Sequence, residues 1–342
     1  PVSVGFSDRV PAEGNKLRRS APLAACQHLP VRQHRAGRCY AGAPETVESA
    51  FLNDRSAQPP MYIGLPMWAN PDWRGGLYPP HAGREGWLDD YAAVFNAVEG
   101  NTTFYSGAPR PRTVEGWSRQ APPGFRFCFK LPQALTHAKR LRQVETDVGD
   151  FVEALWPLKD RLGPVMIQLP RDFGPEEVRA LEKVLRDWPQ DVPCAVELRH
   201  SEFFHKGSAE RDINALLISH GADRVMLDVR PLFSGPPEAH SGLIQARAEK
   251  PRRPLHVIST AKFPVIRFIG HLDSAINEHY FTPWIDQLAL WIKQGKTPFL
   301  FVHTADNREA PELARNLYAR VADRMGWQAL PGFPGDRQNQ LL

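Results

Sequence analysis

The sequence predicts an α/β fold, a single-domain (β/α)₈ TIM barrel. Eight short apolar runs of strand type begin at intervals of 29 to 40 residues from residue 61 onward, and amphipathic segments lie between most of them. Eight strand–helix units over about 270 residues match the size of such a barrel. A doubly wound open sheet would also alternate, but the turn after the first run, GLPMWANPDW, lacks its glycine-rich phosphate fingerprint.

The eight runs are the predicted strands, because each is short, apolar and bounded by Gly, Pro or charged residues. They are MYIGLPMW from residue 61, AVEGNTTFY from 97, RFCFKLP from 126, VMIQLP from 165, CAVELRH from 194, RVMLDVRP from 224, PVIRFIG from 264 and PFLFVHT from 298. Helices are predicted from apolar periodicity, with Pro or Gly opening several of them. They span residues 86–98, 149–162, 174–188, 281–295 and 310–326.

The second run carries an unusual polar pattern. Glu99, Asn101, Thr103 and Tyr105 alternate, so a strand over 97–105 would place all four side chains on one face. Strand residues of a barrel alternate between its interior and the helix layer, and the C-terminal ends of the strands form the catalytic face. The pattern therefore predicts that this polar face points into a site.

The chain divides into three parts by composition. Residues 1–58 are rich in Pro, Arg, Ala and Ser without a sustained period, which predicts a loosely ordered N-terminal extension in which ETVESAFL (45–52) is helix-like. The barrel is expected over residues 59–328, and residues 329–342 form a C-terminal tail.

The net charge and the cysteine content of the chain limit which partners and which cellular location are expected. Of the net charge of +4, the first 60 residues hold +3, so the barrel is nearly neutral and gives little support to nucleic-acid binding by a broad basic face. The basic segment 231–262 keeps that partner as an alternative. No apolar run reaches the length of about 18 residues that a membrane span needs. The four cysteines form no CxxC pair, which predicts a reducing, cytoplasmic location.

Ordered motifs from residue 61 to 326 give the chain a family resemblance. They are W..PDWRGGLYP (68–79), L..YA..F..VE.N.TFY (88–105), P......W....P.GFRF..K.P...TH (109–137), IQLP..F (167–173), AVE.RH (195–200), RFIGH (267–271) and FVHTADN..A.ELARNL (301–317). The sequence resembles the DUF72 family, also called the YecE family. This resemblance implies a TIM barrel and no particular activity. Pro66-Met67 and Ala305-Asp306-Asn307 depart from the family pattern and predict a changed ligand or a distinct subgroup.

Three carboxylates and a histidine are the candidate acid/base groups. Glu99, Glu197 and Asp228 lie on the second, fifth and sixth predicted strands, and His303 lies near the end of the eighth. Carboxylates in unlike environments differ in pKa and can share general acid and base roles. The alternative is that Arg and Lys side chains merely neutralise each carboxylate inside the barrel mouth.

Three cations concentrate positive charge at the same strand ends. Lys130, Arg199 and Arg267 are expected to hold an anionic substrate, since guanidinium groups suit carboxylates and phosphates. An internal salt-bridge network is the alternative. Lys130 is also a candidate for Schiff-base formation, and we count it among the catalytic residues.

Further substrate-binding candidates lie late in the predicted strands or in the turns that follow them. Trp68 offers a stacking surface, Gly270 permits a close backbone approach, and the turn 304–313 leads into a helix N-terminus that could hold phosphate. Simple helix capping by Asp306 or Asn307 is the alternative for that turn. The full set is Trp68, Asn101, Tyr105, His137, Gln168, Gly270, Asp306 and Asn307.

These residues predict an enzyme of hydrolase, isomerase or lyase type that acts on a small anionic, phosphorylated or sugar-like substrate. One alternative is a divalent-metal-dependent barrel of the sugar-isomerase or endonuclease type, in which the carboxylates, His137, His200, His271 and His303 would supply ligands. The other is a non-catalytic protein that binds nucleic acid or a partner through its basic segments.

Overall fold

The computed structural model describes residues 60–235 and 241–339, and within them eight parallel strands form a barrel surrounded by helices. The order of hydrogen-bonded neighbours is β3-β2-β1-β8-β7-β6-β5-β4. The strands are β1 (Tyr62–Leu65), β2 (Ala97–Gly100), β3 (Arg126–Phe129), β4 (Val165–Gln168), β5 (Cys194–Glu197), β6 (Asp223–Asp228), β7 (Val265–Ile269) and β8 (Phe299–His303). The predicted (β/α)₈ TIM barrel is confirmed.

The barrel closes between β3 and β4, the two ends of that strand order. The N–H of Leu131 donates to the carbonyl of Met166 at 3.0 Å, and the N–H of Gly163 donates to the carbonyl of Phe127 at 2.9 Å. Closure leaves no free sheet edge at this point, as a barrel requires.

Ten α-helices occur in the described residues, and the longer ones follow the strands in the alternation that a barrel needs. They are α1 (Trp87–Ala92), α2 (Thr102–Ser106), α3 (Pro111–Gln120), α4 (Glu145–Ala154), α5 (Val178–Arg186), α6 (Ser208–Ser219), α7 (Ser241–Glu249), α8 (Ser274–Lys293), α9 (Ala310–Met325) and α10 (Pro334–Asn339). No helix among them combines the length and the apolar character that crossing a membrane demands.

The strands separate two apolar regions, because alternate side chains point in opposite directions. One region is the large layer between the strands and the helices, to which Ile63, Phe127 and Ile266 belong. The other is a compact cluster inside the barrel. Its buried members are Tyr62, Ala97, Cys128, Met166, Ala195, Val225, Val265, Phe299 and Phe301.

The second predicted strand is wrong beyond residue 100. After Gly100 the chain turns into α2, so Asn101, Thr103 and Tyr105 do not share a strand face with Glu99. The hydroxyl of Thr103 donates to the carbonyl of Lys130 at 2.8 Å, and the amide of Asn101 donates to the carbonyl of Pro66 at 2.9 Å. Both side chains therefore anchor the turn, and Tyr105 is 73% exposed.

Other boundaries also differ from the prediction. The helix predicted over 86–98 ends at Ala92, because β2 already begins at Ala97. The helix predicted over 281–295 begins earlier, at Ser274, because the Asp273 carboxylate accepts the N–H of Ala275 at 2.8 Å and caps it. Helix α10 lies in the predicted tail, and Phe333 just before it is buried. The predicted extension 1–58, with ETVESAFL, lies outside the described residues.

Candidate active site at the C-terminal end of the barrel

Above the apolar cluster, the barrel interior changes abruptly to polar and charged side chains. On six strands the change comes two residues after an interior apolar residue, so the new side chain points the same way. These pairs are Ala97 and Glu99, Cys128 and Lys130, Met166 and Gln168, Ala195 and Glu197, Val265 and Arg267, and Phe301 and His303. We call Glu99, Lys130, Gln168, Glu197, Arg267 and His303 the charged layer. All six are buried.

Arg267 joins two carboxylates at the centre of the charged layer. Its Nε and Nη2 donate to the Oε2 and Oε1 atoms of Glu99 at 2.7 and 2.8 Å, and its Nη1 donates to Oε2 of Glu197 at 2.7 Å. Every guanidinium nitrogen thus has a carboxylate partner. This is the internal ion-pair arrangement that the sequence left as an alternative to anion binding.

Lys130 and His303 also contact the Glu99 carboxylate, and Gln168 contacts Lys130. Lys130 Nζ lies 2.9 Å from Oε1 of Glu99 and donates to Oε1 of Gln168 at 3.1 Å. Nε2 of His303 lies 3.2 Å from Oε2 of Glu99. Because an ionised carboxylate only accepts, Nε2 must carry the hydrogen of this contact.

Arg199 extends the charged layer toward solvent from the residues that follow β5. Its Nε donates to Oε1 of Glu197 at 2.6 Å, and its Nη2 lies 2.5 Å from the same oxygen. Burial by itself raises the pKa of Glu197, but Arg199, Arg267 and Lys130 outweigh it and hold this pKa far below its usual range. The Glu197 carboxylate therefore stays ionised at neutral pH.

The pKa values of the charged layer separate ionised from neutral groups. Burial raises the pKa of Glu99, but Arg267, Lys130 and His303 outweigh burial and hold the pKa well below its usual range. Burial, with a smaller contribution from Arg267, lowers the pKa of Lys130 to about 8. Burial also lowers the pKa of His303 to about 4, so its imidazole is neutral at pH 7. Among Glu99, Lys130, Glu197 and His303, Lys130 has the pKa nearest to neutrality.

Lys250 is a site residue that the sequence did not single out. It follows α7 directly, and Arg267, Glu99, Glu197 and Arg199 all contribute to its pKa. Burial and Arg267 lower that pKa, and the two glutamates partly oppose them. The sequence identified the segment 231–262 as basic, but nothing in its pattern distinguishes Lys250 from Arg247, Arg252 or Arg253.

A groove of about 620 Å³ lies beside the charged layer, between α2 and residues 132–138. Its wall includes Phe104, Tyr105 and His137, and the His137 ring meets Phe104 edge-on at 5.3 Å. Burial and the nearby Arg199 lower the pKa of His137. Residues Ala134–Ala138 form a π-helical turn, a feature often found at functional sites. Tyr105 and His137 thus lie at the groove and not in the charged layer.

Asp228 and Trp68 lie away from the charged layer. Asp228 accepts from Nε and Nη2 of Arg230 at 2.9 and 2.7 Å and from the Trp284 indole at 2.8 Å, so its contacts are with the helix layer. Trp68 packs edge-on against Trp117 at 5.4 Å and Phe127 at 6.0 Å, also outside the barrel interior. The structure therefore does not place these two predicted site residues next to Glu99 and Glu197.

Gly270 and the turn after β8 have structural contacts. A Cβ on Gly270 would lie 2.4 Å from Cδ2 of Leu313 and 3.3 Å from the carbonyl oxygen of His303, so the leucine side chain on α9 would have to shift to admit it. Asp306 accepts from the N–H of Arg308 at 3.0 Å, and the Asn307 carbonyl accepts from the Trp73 indole at 2.7 Å. The N-cap of α9 is Glu309, so neither Asp306 nor Asn307 caps that helix.

In the part of the chain that the structure describes, the metal alternative finds no suitable ligand set. Among residues 60–235 and 241–339, no group of three or more His, Cys, Asp or Glu side chains is placed to hold a metal ion. The oxygens of Glu99 and Glu197 face Lys and Arg nitrogens, and a cation there would need those partners to move.

Comparison with known proteins identifies the family. The model for the family described as "Protein of unknown function DUF72" matches residues 62–335. The UPF0759 protein YecE of Escherichia coli K12 is 42% identical over 260 residues, which are 75% of this chain and 91% of that protein. The UPF0759 protein YunF of Bacillus subtilis is 30% identical over 151 residues, 42% of this chain and 52% of that protein.

Solved structures share the fold. The crystal structure of a DUF72 family protein from Thermotoga maritima superposes with a TM-score of 0.60 at 24% identity, covering 76% of this chain and 98% of that one. A DUF72 family protein from Enterococcus faecalis gives a TM-score of 0.57 at 17% identity, covering 78% and 96%. The matched family model and the 42% identity to YecE establish that this chain belongs to the DUF72 family.

Proposed function

We propose that this protein is an enzyme that acts on a small anionic, phosphorylated or sugar-like molecule at the C-terminal end of the barrel. The observation that carries the proposal is the charged layer itself. Burying ions is expensive, and well-packed apolar residues of similar volume are often at least as stabilising as a buried ion pair. Perturbed, clustered ionisable groups in the mouth of a barrel are typical of catalytic sites.

The pKa values of the charged layer support an assignment of catalytic roles to its residues. Glu99 and Glu197 are ionised at neutral pH, so each can accept a proton or stabilise positive charge but cannot act as a general acid. Lys130, with a pKa of about 8, can both give and take a proton near neutrality. We therefore assign proton transfer to Lys130, assisted by the neutral imidazole of His303, and we assign the two glutamates to charge balance around it.

The compartment belongs to the same proposal. Cys128 and Cys194 are both buried free thiols in the described part of the chain. Unpaired buried thiols are typical of a reducing compartment and support the cytoplasm as the place of action.

The test is a turnover screen with a matched control. Phosphorylated sugars, sugar acids and other small acids are incubated with the full chain, and their consumption is followed by NMR. For any compound consumed, Lys130→Met is expected to lower kcat by about 10²-fold or more, the range of general acid–base catalysis. Glu197→Gln is expected to lower it as well.

Glu210→Gln is the control, because Glu210 is also buried and paired with an arginine, Arg224 at 3.1 Å, but lies on the helix side of β6. It should retain wild-type kcat. Full activity of folded Lys130→Met would contradict the assignment of Lys130, and equal losses in Glu197→Gln and Glu210→Gln would point to a structural effect.

A further inference from the structure

Lys250 brings an additional cation to the charged layer from outside the strands. When Lys130 and Lys250 are protonated, four cations meet only two carboxylates, Glu99 and Glu197. Those cations are Lys130, Arg199, Lys250 and Arg267. In that protonation state these six side chains carry an excess of two positive charges, which an anion with two negative charges would neutralise.

Two contacts hold the backbone on both sides of Lys250. Nη2 of Arg171, in the loop after β4, donates to the carbonyl of Glu249 at 2.6 Å and to that of Ala248 at 3.3 Å. Nε of Arg253 donates to the carbonyl of Arg199 at 2.9 Å. The first contact binds the end of α7, and the second binds the following residues to the loop after β5. These contacts hold the backbone around Lys250 next to the loop after β5, which carries Arg199.

Lys250 and Arg199 both have donors that meet no acceptor in the described part of the chain. Within the described residues, Nζ of Lys250 makes no hydrogen bond and has no carboxylate oxygen within ion-pair distance. Arg199 uses Nε and Nη2 on Glu197, whereas its Nη1 has no acceptor among those same residues. By contrast, all three nitrogens of Arg267 are occupied. Unoccupied cationic donors at a site are suited to charge-assisted hydrogen bonds with a ligand.

We propose that Lys250 and Arg199 form an anion subsite that binds the phosphoryl group of the substrate. This inference rests on the proposed function and specifies its substrate as a phosphate monoester. A phosphoryl group carries close to two negative charges at pH 7 and three acceptor oxygens, which matches the charge excess and the two separate donors. A carboxylate supplies one charge and would leave one cation uncompensated.

Binding of inorganic phosphate to the full chain tests the subsite without any turnover assay. Isothermal titration calorimetry at pH 7.5 and low ionic strength compares phosphate with acetate for the wild-type protein. Phosphate is expected to bind and acetate to bind more weakly. Lys250→Met is expected to weaken phosphate binding by about 10-fold or more, the usual effect of losing a hydrogen bond between charged groups.

Lys262→Met is the matched control, because Lys262 precedes β7 and therefore lies at the opposite end of the barrel. It should bind phosphate as the wild type does. Lys250→Arg keeps the charge and should bind within a few-fold of wild type. Unfolding curves of all variants report on folding.

The proposed subsite would be contradicted if the wild type did not bind phosphate, if Lys250→Met bound phosphate equally well, or if acetate bound as tightly as phosphate. Equal losses in Lys250→Arg and Lys250→Met would contradict it too, because charge would then not be the cause. The two proposals fail separately. If Lys250→Met does not change turnover, the proposed enzyme activity stands and the proposed subsite is contradicted. If phosphate binding depends on Lys250 but no compound is turned over, the subsite stands and the proposed activity is contradicted.

Discussion

Arg267 is the residue that makes the buried carboxylates tolerable. It is 2% exposed and gives every guanidinium nitrogen to Glu99 or Glu197. Arg267→Met removes the cation but keeps an apolar stem of similar length, so two buried charges lose their main partner. We expect the free energy of unfolding to fall by about 3–5 kcal/mol at pH 7.

Urea denaturation measures this loss, and Arg324→Met is its control. Arg324 also pairs with a carboxylate, Asp286 at 3.1 Å, but on the surface, where such pairs contribute about 1 kcal/mol or less. The effect of Arg267→Met should shrink as the pH falls below about 4.5, the ordinary pKa of the glutamates, because protonation removes the uncompensated charge. A loss no larger than that of Arg324→Met would contradict the central role of Arg267.

His303 provides a spectroscopic test of the charged layer. Burial, opposed by Glu99, lowers its pKa from 6.5 to about 4, so the ring should remain neutral from pH 5.5 to 8. Its imidazole NMR signals, assigned by their loss in His303→Gln, are expected to stay constant over that range. A transition with a midpoint near 6.5 would show that the ring is not in the environment described.

At the scale of elements, the contact between β1 and β2 depends on a glycine. A Cβ on Gly64 would lie 1.9 Å from the carbonyl oxygen of Ala97 and 3.0 Å from the hydroxyl of Tyr91. That hydroxyl accepts from the N–H of Leu65 at 2.7 Å and donates to the Ala97 carbonyl at 2.8 Å, joining the two strands. Both neighbours are fixed, so a methyl group has no space.

Gly64→Ala is therefore expected to destabilise the barrel by about 3 kcal/mol or more, as a forced core clash does. Gly116→Ala is the same change in the interior of α3, where a Cβ would meet no atom within 4 Å. It should instead stabilise the protein by about 0.5–1 kcal/mol, because alanine is the better helix former. Thermal unfolding of both variants measures these changes in stability. A Gly64→Ala variant as stable as the wild type would contradict the close contact between the two strands.

The end of α7 is a second element whose position has a definable cause. Because Arg171 binds the carbonyls of Ala248 and Glu249, Arg171→Ala should loosen the last turn of α7. We expect faster amide hydrogen exchange around residues 246–253 and unchanged exchange in β8. Arg179→Ala, an exposed arginine on α5, is the control. Unchanged exchange in Arg171→Ala would mean that α7 is held by its apolar contacts alone.

For the whole molecule, the buried ionisable groups predict acid sensitivity. His303 and the two glutamates have lower pKa values in the folded chain than in the unfolded chain, so the stability they contribute is lost as the pH falls. Asp223 has the opposite sign, because burial raises its pKa from 3.8 to about 7 despite the N–H groups of Phe263 and Ala261. Its contribution is complete below pH 3.8 and is lost as the pH rises toward 7.

Between pH 7 and pH 4.5 the loss from His303 and the gain from Asp223 oppose each other, and below pH 4.5 the two glutamates add their loss, so the free energy of unfolding should fall toward pH 4. Asp223→Asn removes the opposing contribution and should make the fall steeper. The contribution removed is about 1.4 kcal/mol for each unit by which the pKa of Asp223 differs between the folded and the unfolded chain. Urea curves at several pH values measure both proteins. A flat profile for the wild type would contradict the ionisation states assigned to the charged layer.

The sequence predicts the barrel well because strand periodicity is a local property. Each of the eight apolar runs contains or overlaps an observed strand, and α9 (Ala310–Met325) nearly coincides with its predicted span of 310–326. The end of β2 was not predictable in this way. Asn101 and Thr103 bind carbonyls of Pro66 and Lys130, which are distant in the chain, and those contacts bend it into α2.

The candidate site is predictable only where it follows the strand pattern. Glu99, Lys130, Glu197 and His303 come together because each lies at the end of a strand and on its inner face. Asp228 also ends a strand, but its position is of the opposite parity, and it meets Trp284 in the helix layer. Lys250 reaches the site through a tertiary contact made by Arg171, for which the sequence carries no periodic signal.

The apolar cluster within the barrel lies on the side of the charged layer where the strands begin. Tyr62, Phe299 and Phe301 help to fill the end where the strands begin, and Tyr62 and Phe299 stack with ring centroids 4.6 Å apart. Within the described residues, this cluster therefore fills the barrel interior below the charged layer. Under the proposed function, substrate and product would share the polar end of the barrel, so a slowly released product would inhibit turnover competitively.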